Sequence, residues 1–234
     1  MISMLNREEK RRKLNVTFDT KPGRMHFLNY TIVKPLIKGK KVLDIGCWTG
    51  QFTNLIANET KETIGIDPGE KAIRFAKKST TKAKFLIGSM DQLPFDNSYF
   101  DVITAFDVIE HVQKWTEKHC LKETYRVLNP GGIFILSTPN KDILSIILDP
   151  AFFLISHRHY SMEELTALLK ETNFSIISTL RFGGIAHLLN NNLHLMEKYI
   201  FKRVLKRPRF FTKQIEKEYV QGGFASNYVI AQKK

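Results

Sequence analysis

Two carboxylates and an imidazole fall within five residues at Asp107-Val-Ile-Glu110-His111. Offsets of three and four would place Asp107, Glu110 and His111 on one face of a helical turn. Such a set could ligate a divalent metal, its oxygen-rich character favouring Mg²⁺ or Mn²⁺. It could equally supply a general base for a hydroxyl acceptor, or only start a helix. A second cluster, His157-Arg158-His159-Tyr160, precedes Ser161-Met-Glu-Glu164, a capping box that opens a helix. His159 there is a candidate base, further ligand or cap partner. A third stretch, Val42-Leu-Asp-Ile-Gly-Cys-Trp-Thr-Gly50, reads as a buried strand ending in a glycine turn. Gly46 and Gly50 allow the backbone to bend sharply and come close to a ligand. Asp44 places a carboxylate near that turn. Asp67 ends a second β-rich run and suits a ribose diol, because a carboxylate accepts from both hydroxyls.

The elements that must carry these residues follow from periodicity. Strands are expected at 41–45, 63–67, 83–87, 99–105 and 133–137, alternating with helices at 50–58, 70–78 and 114–128. Asn129-Pro-Gly-Gly132 should close the last of these helices. A helix over 24–37 leads in. Leu144 to Ile155 is an apolar core or lid segment punctuated by Pro150, a helix runs from Ser161 to about Glu171, and further strands are expected at 174–180 and 225–232. The alternation implies an α/β fold of Rossmann-like, doubly wound type: a mostly parallel seven-stranded sheet with helices on both faces. Ligands on such a sheet bind at the carboxyl ends of the strands, where the strand order reverses. One domain over 1–234 is expected, with an N-terminal arm over 1–23 and a substrate-side insert or lid over 183–223.

The glycine spacing narrows the ligand. Gly46-x-x-x-Gly50 is not the G-x-G-x-x-G of dinucleotide sites, and Trp48 fills the middle position. A pyrophosphate needs open helix N–H groups at the turn, whereas the upstream acid would repel a phosphate and welcome an ammonium. Both facts point to a cationic, phosphate-free nucleoside such as S-adenosylmethionine. From about Val42 to Asn173 the chain resembles the class I S-adenosylmethionine-dependent methyltransferases, in its ubiquinone-pathway O-methyltransferase-like branch. The marks are the Val42–Gly50 stretch, Ile64-Gly-Ile-Asp67, Leu93-Pro-Phe95, Phe100-Asp-Val102, Leu128-Asn-Pro-Gly-Gly132 and Ser137-Thr-Pro-Asn140.

The resemblance implies that the turn with Asp44, Gly46, Cys47, Trp48 and Gly50 holds the methionine part of the cofactor and Asp67 the ribose. It further implies that Ile66 and Pro68 flank the adenine, Ser89 and Met90 lie along its edge, and Phe106 sits near the sulfonium. Two departures stand out: Trp48 replaces a frequent third glycine, and Ser89 a frequent aspartate, for which Asp91 is the candidate substitute. Residues 107–111 resemble the acid-x-x-Glu-His motif of metal-dependent O-methyltransferases, with Asp107 as a shorter first acid, and the 157–161 stretch faces the active-site mouth in the resembling families. Asp101 and the 128–132 segment read as fold determinants, and Cys47 as a small core residue rather than a nucleophile.

Composition sets the outer bounds. Hydrophobic residues make up 43% and charged residues 25% of the 234, which argues against wholesale disorder. The two cysteines build no disulfide framework. No apolar run reaches the roughly 18–20 residues of a spanning helix, and a cytoplasmic protein is expected. Thirty-six Lys and Arg against 23 Asp and Glu give a net charge of +13, which favours phosphate or anionic lipid contact. In the 183–223 insert, apolar residues interleave with Lys198, Lys202, Arg203, Lys206, Arg207 and Arg209. That pattern fits packing on the core, a lipid-like substrate, a membrane surface or a phosphate backbone. The expected activity is methyl transfer to a small or amphiphilic acceptor, at oxygen. An RNA methyltransferase and an inactive S-adenosylmethionine-binding protein are the alternatives.

Overall fold

The computed structural model describes residues 24–79, 82–149, 152, 157–197, 201, 205, 208–220 and 222–234. The expected arm over 1–23 and most of 150–156 lie outside them. Seven strands form one sheet: β1 (Lys41–Ile45), β2 (Glu62–Asp67), β3 (Lys84–Ile87), β4 (Phe100–Phe106), β5 (Leu128–Pro139), β6 (Phe174–Phe182) and β7 (Ser226–Lys233). Their order is β3-β2-β1-β4-β5-β7-β6. Pairings from β3 through β5 are parallel, and β7 runs antiparallel to both its neighbours. The doubly wound, mostly parallel sheet expected from the alternation is therefore present. The order reverses between β1 and β4, which puts their carboxyl ends side by side.

Both faces of the central strands are covered, so these strands read as nearly continuous apolar runs. Leu43, Ile45, Ile103 and Phe134 pack on one face with Leu121 of α4 (Glu117–Val127) and Leu165 and Leu169 of α6 (Met162–Glu171). Val42, Val102 and Ile135 pack on the other with Val33 and Ile37 of α1 (Arg24–Ile37) and Phe52 and Ile56 of α2 (Gln51–Ile56). The period-two alternation of side chains sends neighbouring residues to opposite cores. Near β3, Ile73 and Ala76 of α3 (Glu70–Lys78) close a smaller cluster with Cys47 and Phe85.

The strand expected at 133–137 begins earlier, directly after α4. Phe100 pairs with Leu128 and Val102 with Ile133, so Asn129-Pro-Gly-Gly132 bulges from the ladder instead of forming a separate turn. Asp101 holds this end together: its carboxylate accepts from the backbone N–H of Lys41 (2.9 Å) and from Asn129 Nδ2 (2.9 Å). Its expected role in the fold is the one it has.

After β5 come the short α5 (Ile143–Ile147), then α6 and β6. The 183–223 insert resolves into α7 (Ile185–Met196) and α8 (Arg209–Val220), with Pro208 just before the second. Lys198, Lys202, Arg203, Lys206 and Arg207 lie outside the described residues. Glu218 of α8 accepts from the backbone N–H groups of Gly184, Ala186 and His187 at 2.9, 3.0 and 2.9 Å. An anion placed at the start of α7 satisfies donors that the helix cannot pair itself. Among the described residues, no helix is long and apolar enough to cross a membrane.

Asn227 of β7 joins the sheet to the loops at its carboxyl edge. It is fully buried. Its Nδ2 donates to Asn140 Oδ1 (3.0 Å) and to the Tyr160 carbonyl (2.8 Å), and its Oδ1 accepts from Arg181 Nε (3.2 Å). Removing one partner strands the others in the interior. Asn227→Ala is expected to lower the unfolding free energy by about 2–4 kcal/mol, measured by urea denaturation. A loss below about 0.5 kcal/mol would show that the network does not brace this edge.

Candidate active site

The turn after β1 is bent by three successive left-handed positions. Gly46 has φ 76°, Trp48 φ 49° and Gly50 φ 78°. A Cβ on Gly46 would stand 2.5 Å from Val108 Cγ2, so the glycine is required by space as well as by φ. Trp48 takes a conformation that favours glycine, at some cost in strain. The turn uses its own donors: Gly46 and Cys47 N–H both bond the Ile66 carbonyl (2.8 and 2.9 Å), and Gly50 N–H bonds the Cys47 carbonyl (2.8 Å). Asp67, at the tip of β2, accepts from Trp48 N–H through Oδ2 (3.2 Å) and from Gly69 N–H through Oδ1 (2.7 Å).

The other residues expected around a nucleoside separate into two groups. Pro68 is exposed at the strand tip, and Ser89 and Asp91 are half-buried beside it. Ile66 and Met90 are buried in the main core. Of the residues expected along the adenine edge, Ser89 is half-buried and the Met90 side chain is packed in the core; Asp91 is half-buried. Phe106, at the end of β4, meets Phe52 edge-on at 5.2 Å. Burial pushes the Cys47 thiol far up, in keeping with a core residue.

The acceptor side begins one residue past β4. Asp107 has φ 54°, and Ile109–His111 form a 3-10 turn rather than the helical turn expected. The left-handed residue sends Asp107 toward β5, where Oδ1 accepts from Ser137 Oγ (3.0 Å). Glu110 is fully buried; its Oε2 accepts from Thr138 Oγ1 (3.0 Å) and its Oε1 has no hydrogen-bond partner. His157 Nε2 lies 3.6 Å from that oxygen, while Nδ1 meets Asp149 Oδ2 at 2.7 Å. The same Asp149 oxygen meets His159 Nε2 (2.9 Å), and His159 Nδ1 meets the Asn140 carbonyl (2.9 Å).

One ligand atom each from Glu110, His111 and His157 lies within 4.8 Å of the others, and so does one each from Asp149, His157 and His159. Asp107 belongs to neither group. Of the expected set, Glu110 and His111 come together with His157, while Asp107 faces Ser137. Arg158 fastens the two halves. Its guanidinium donates to the carbonyls of Ile109 (2.9 Å), Glu110 (3.2 Å) and Val112 (2.6 Å) and pairs with Glu117. Burial pushes the Asp107 carboxyl up to about 7, helped by the Glu110 charge and opposed by Ser137 and His157. Burial opposes a charge on His157, but the Asp149 bond and the facing Glu110 carboxylate outweigh it and lift the group to about 9.

A cavity of about 320 Å³ opens beyond Asp107. Ser145, Asp149, His187 and Asn191 line it, and none of them carries a sequence signal. Burial holds His187 down at about 4, so it is neutral.

Residues 43–136 match the family described as "Methyltransferase domain". The chain is 32% identical over 164 residues to a "Probable S-adenosylmethionine-dependent methyltransferase" of Mycolicibacterium smegmatis, covering 70% of this chain and 62% of that one. It is 32% identical over 120 residues to a ubiquinone biosynthesis O-methyltransferase of Azorhizobium caulinodans, covering 50% and 46%. Residues 43–136 are thus similar to methyltransferase domains, and they lie in a doubly wound sheet. The [4+2]-cyclase SpnF superposes with a TM-score of 0.62 at 18% identity, covering 89% of this chain and 81% of that one. That likeness concerns fold alone. The chain spans between half and two thirds of the length of the mycobacterial relatives it matches.

Within the matched segment, Asp44 lies beneath the turn after β1. Its carboxylate accepts from Thr53 Oγ1 (2.6 Å) and Thr104 Oγ1 (3.0 Å), linking β1, α2 and β4. Burial pushes it up to about 6, above the 3.8 of a free aspartate. A raised folded pKa means the fold binds the proton more tightly than the open chain. This contribution is fully present below pH 3.8 and is lost as pH rises through 6. Asp44→Asn, which carries no charge, should therefore gain in melting temperature relative to the parent between pH 4.5 and pH 8. An equal difference at both values would show that Asp44 titrates normally.

Proposed function

We propose that this chain transfers the methyl group of S-adenosylmethionine to an oxygen of a small acceptor, with a divalent ion held by Glu110, His111 and His157. The observation that carries the reading is the Asp67 carboxylate beside the bent turn, with β1 between its strand and the one that leads to Asp107 and Glu110. The Asp67 oxygens are fixed by backbone donors, and a carboxylate at this position is of the type that accepts from a ribose diol. The N–H groups of Gly46, Cys47, Trp48 and Gly50 are spent on Ile66, Cys47 and Asp67, which leaves no cradle for a pyrophosphate at these positions. S-Adenosylmethionine supplies a methyl carbon already bound to a good leaving group, so the protein's main task is alignment.

The residues also fit a metal ion. Glu110 Oε1 is a buried oxygen without a hydrogen-bond partner, facing His157 Nε2, and such an oxygen is costly to leave unsatisfied. Asp149 sits behind His157 as an outer-shell carboxylate does, fixing the ring with Nε2 toward Glu110. Two imidazoles and one carboxylate suit Mn²⁺ better than Mg²⁺, which prefers oxygen. A divalent ion supplies Lewis acidity that eases deprotonation of a hydroxyl. Asp107, pushed up to about 7, is poised to take that proton near neutral pH.

Asp67→Ala is expected to weaken S-adenosylhomocysteine binding at least tenfold by calorimetry, the loss of one or two charge-assisted hydrogen bonds. Unchanged affinity in a folded variant would remove the ribose contact. For the metal, Glu110→Gln should lower Mn²⁺ affinity at least tenfold by electron paramagnetic resonance, with Asp107→Asn within about threefold of the parent. Methyl transfer that persists after thorough chelation would reject the metal while leaving the cofactor reading intact.

A further inference from the structure

The chain carries a net charge of +13, yet the described lining of the acceptor cavity contains neither lysine nor arginine. Its charged residues besides histidine are Asp107 and Asp149. Glu110 stands directly behind, within reach of His157. His157 lies between Asp149 (2.7 Å) and Glu110 (3.6 Å). Arg158, the nearest arginine in sequence, spends its guanidinium on the 109–112 carbonyls and Glu117.

A second observation marks the cavity as a place for a ligand. Ser145, on α5, is fully buried, lines the cavity, and its Oγ has no hydrogen-bond partner. A buried hydroxyl left in this way is destabilising, and a polar group on a bound molecule would satisfy it. Leu148 and Leu188 supply apolar wall nearby. The volume of about 320 Å³ suits a compact molecule, near the lower end of small-ligand pockets.

Resting on the methyl-transfer reading, we propose that this cavity accepts uncharged or cationic hydroxyl compounds and rejects anionic ones. An anion entering it would give up its hydration and find carboxylates in place of compensating cations. Phosphate-bearing acceptors, including a nucleic-acid strand, are disfavoured inside the cavity for the same reason.

The test uses three phenols of nearly equal size that differ in charge: tyramine, tyrosol and 4-hydroxyphenylacetate. Each is titrated by calorimetry into the full chain loaded with S-adenosylhomocysteine. Tyrosol and tyramine should bind at least tenfold more tightly than the acid, and Asp107→Asn should narrow that ratio at least threefold. Equal or tighter binding of the acid overturns the proposal, as does an unchanged ratio in the variant or no binding by any of the three. The S-adenosylhomocysteine titration reads the methyl-transfer proposal separately. If it shows no binding, that proposal fails, and the charge order is still read on the unloaded chain.

Discussion

The guanidinium of Arg158 touches three carbonyl oxygens of the tight turn after β4 and the Glu117 carboxylate at the start of α4. A planar fork of five donors can meet several acceptors at once; a lysine ammonium cannot reproduce that geometry. The contact matters because it joins two separate chain segments. Glu110 and His111 belong to the turn, whereas His157 and His159 flank Arg158 on the loop before α6. Tyr160 extends the attachment, with its N–H on the Pro139 carbonyl (3.1 Å) and its own carbonyl accepting from Lys141 N–H (3.0 Å). The loop is thus laid along the end of β5, and the histidines come to the acids because the backbone beside them is held.

The sheet was legible in the amino-acid sequence because its causes are local. Buried strands in a doubly wound fold are short apolar runs, and their ends are marked by Gly46, Pro68-Gly69 and Asn129-Pro-Gly-Gly132. The cofactor turn was legible for the same reason: the spacing of glycines and Asp67 is set by one strand–turn–helix–strand unit. The acceptor side was only half legible. Asp107, Glu110 and His111 are close in sequence, but their facing depends on a left-handed φ at 107 that a non-glycine residue does not announce. Asp149, Ser145, His187 and Asn191 come from α5, its following segment and α7. They meet the cleft only through tertiary packing, and a single aspartate or serine in an apolar stretch has no pattern of its own.

The two sides of the cleft differ in how their polar groups are satisfied. At the turn after β1, the N–H groups of Gly46, Cys47, Trp48 and Gly50 are paired with Ile66, Asp67 and Cys47, although Asn54 Oδ1 on the following helix is buried without a hydrogen-bond partner. On the acceptor side, Glu110 Oε1 and Ser145 Oγ are buried without hydrogen-bond partners. Unmet hydrogen-bonding capacity of this kind is concentrated where a protein expects company. The net charge of the chain says nothing about either side, since both are governed by groups within a few ångströms.

The placement of β7 has a consequence for how the molecule is made. It lies between β5 and β6, although it follows both in the chain. As the polypeptide leaves the ribosome, β6 emerges with no neighbour to hydrogen-bond, and α7 and α8 must follow before its partner appears. Until Ser226–Lys233 slides into the gap, one border of the sheet stays open and Asn227 cannot reach Asn140 or Tyr160. Cofactor-side strands β1 to β4 can assemble early from near neighbours, whereas the acceptor half waits for a long-range closure, the slower kind of event in folding. Nascent chains stalled before residue 226 would therefore carry the turn after β1 without the closed sheet edge beside β5.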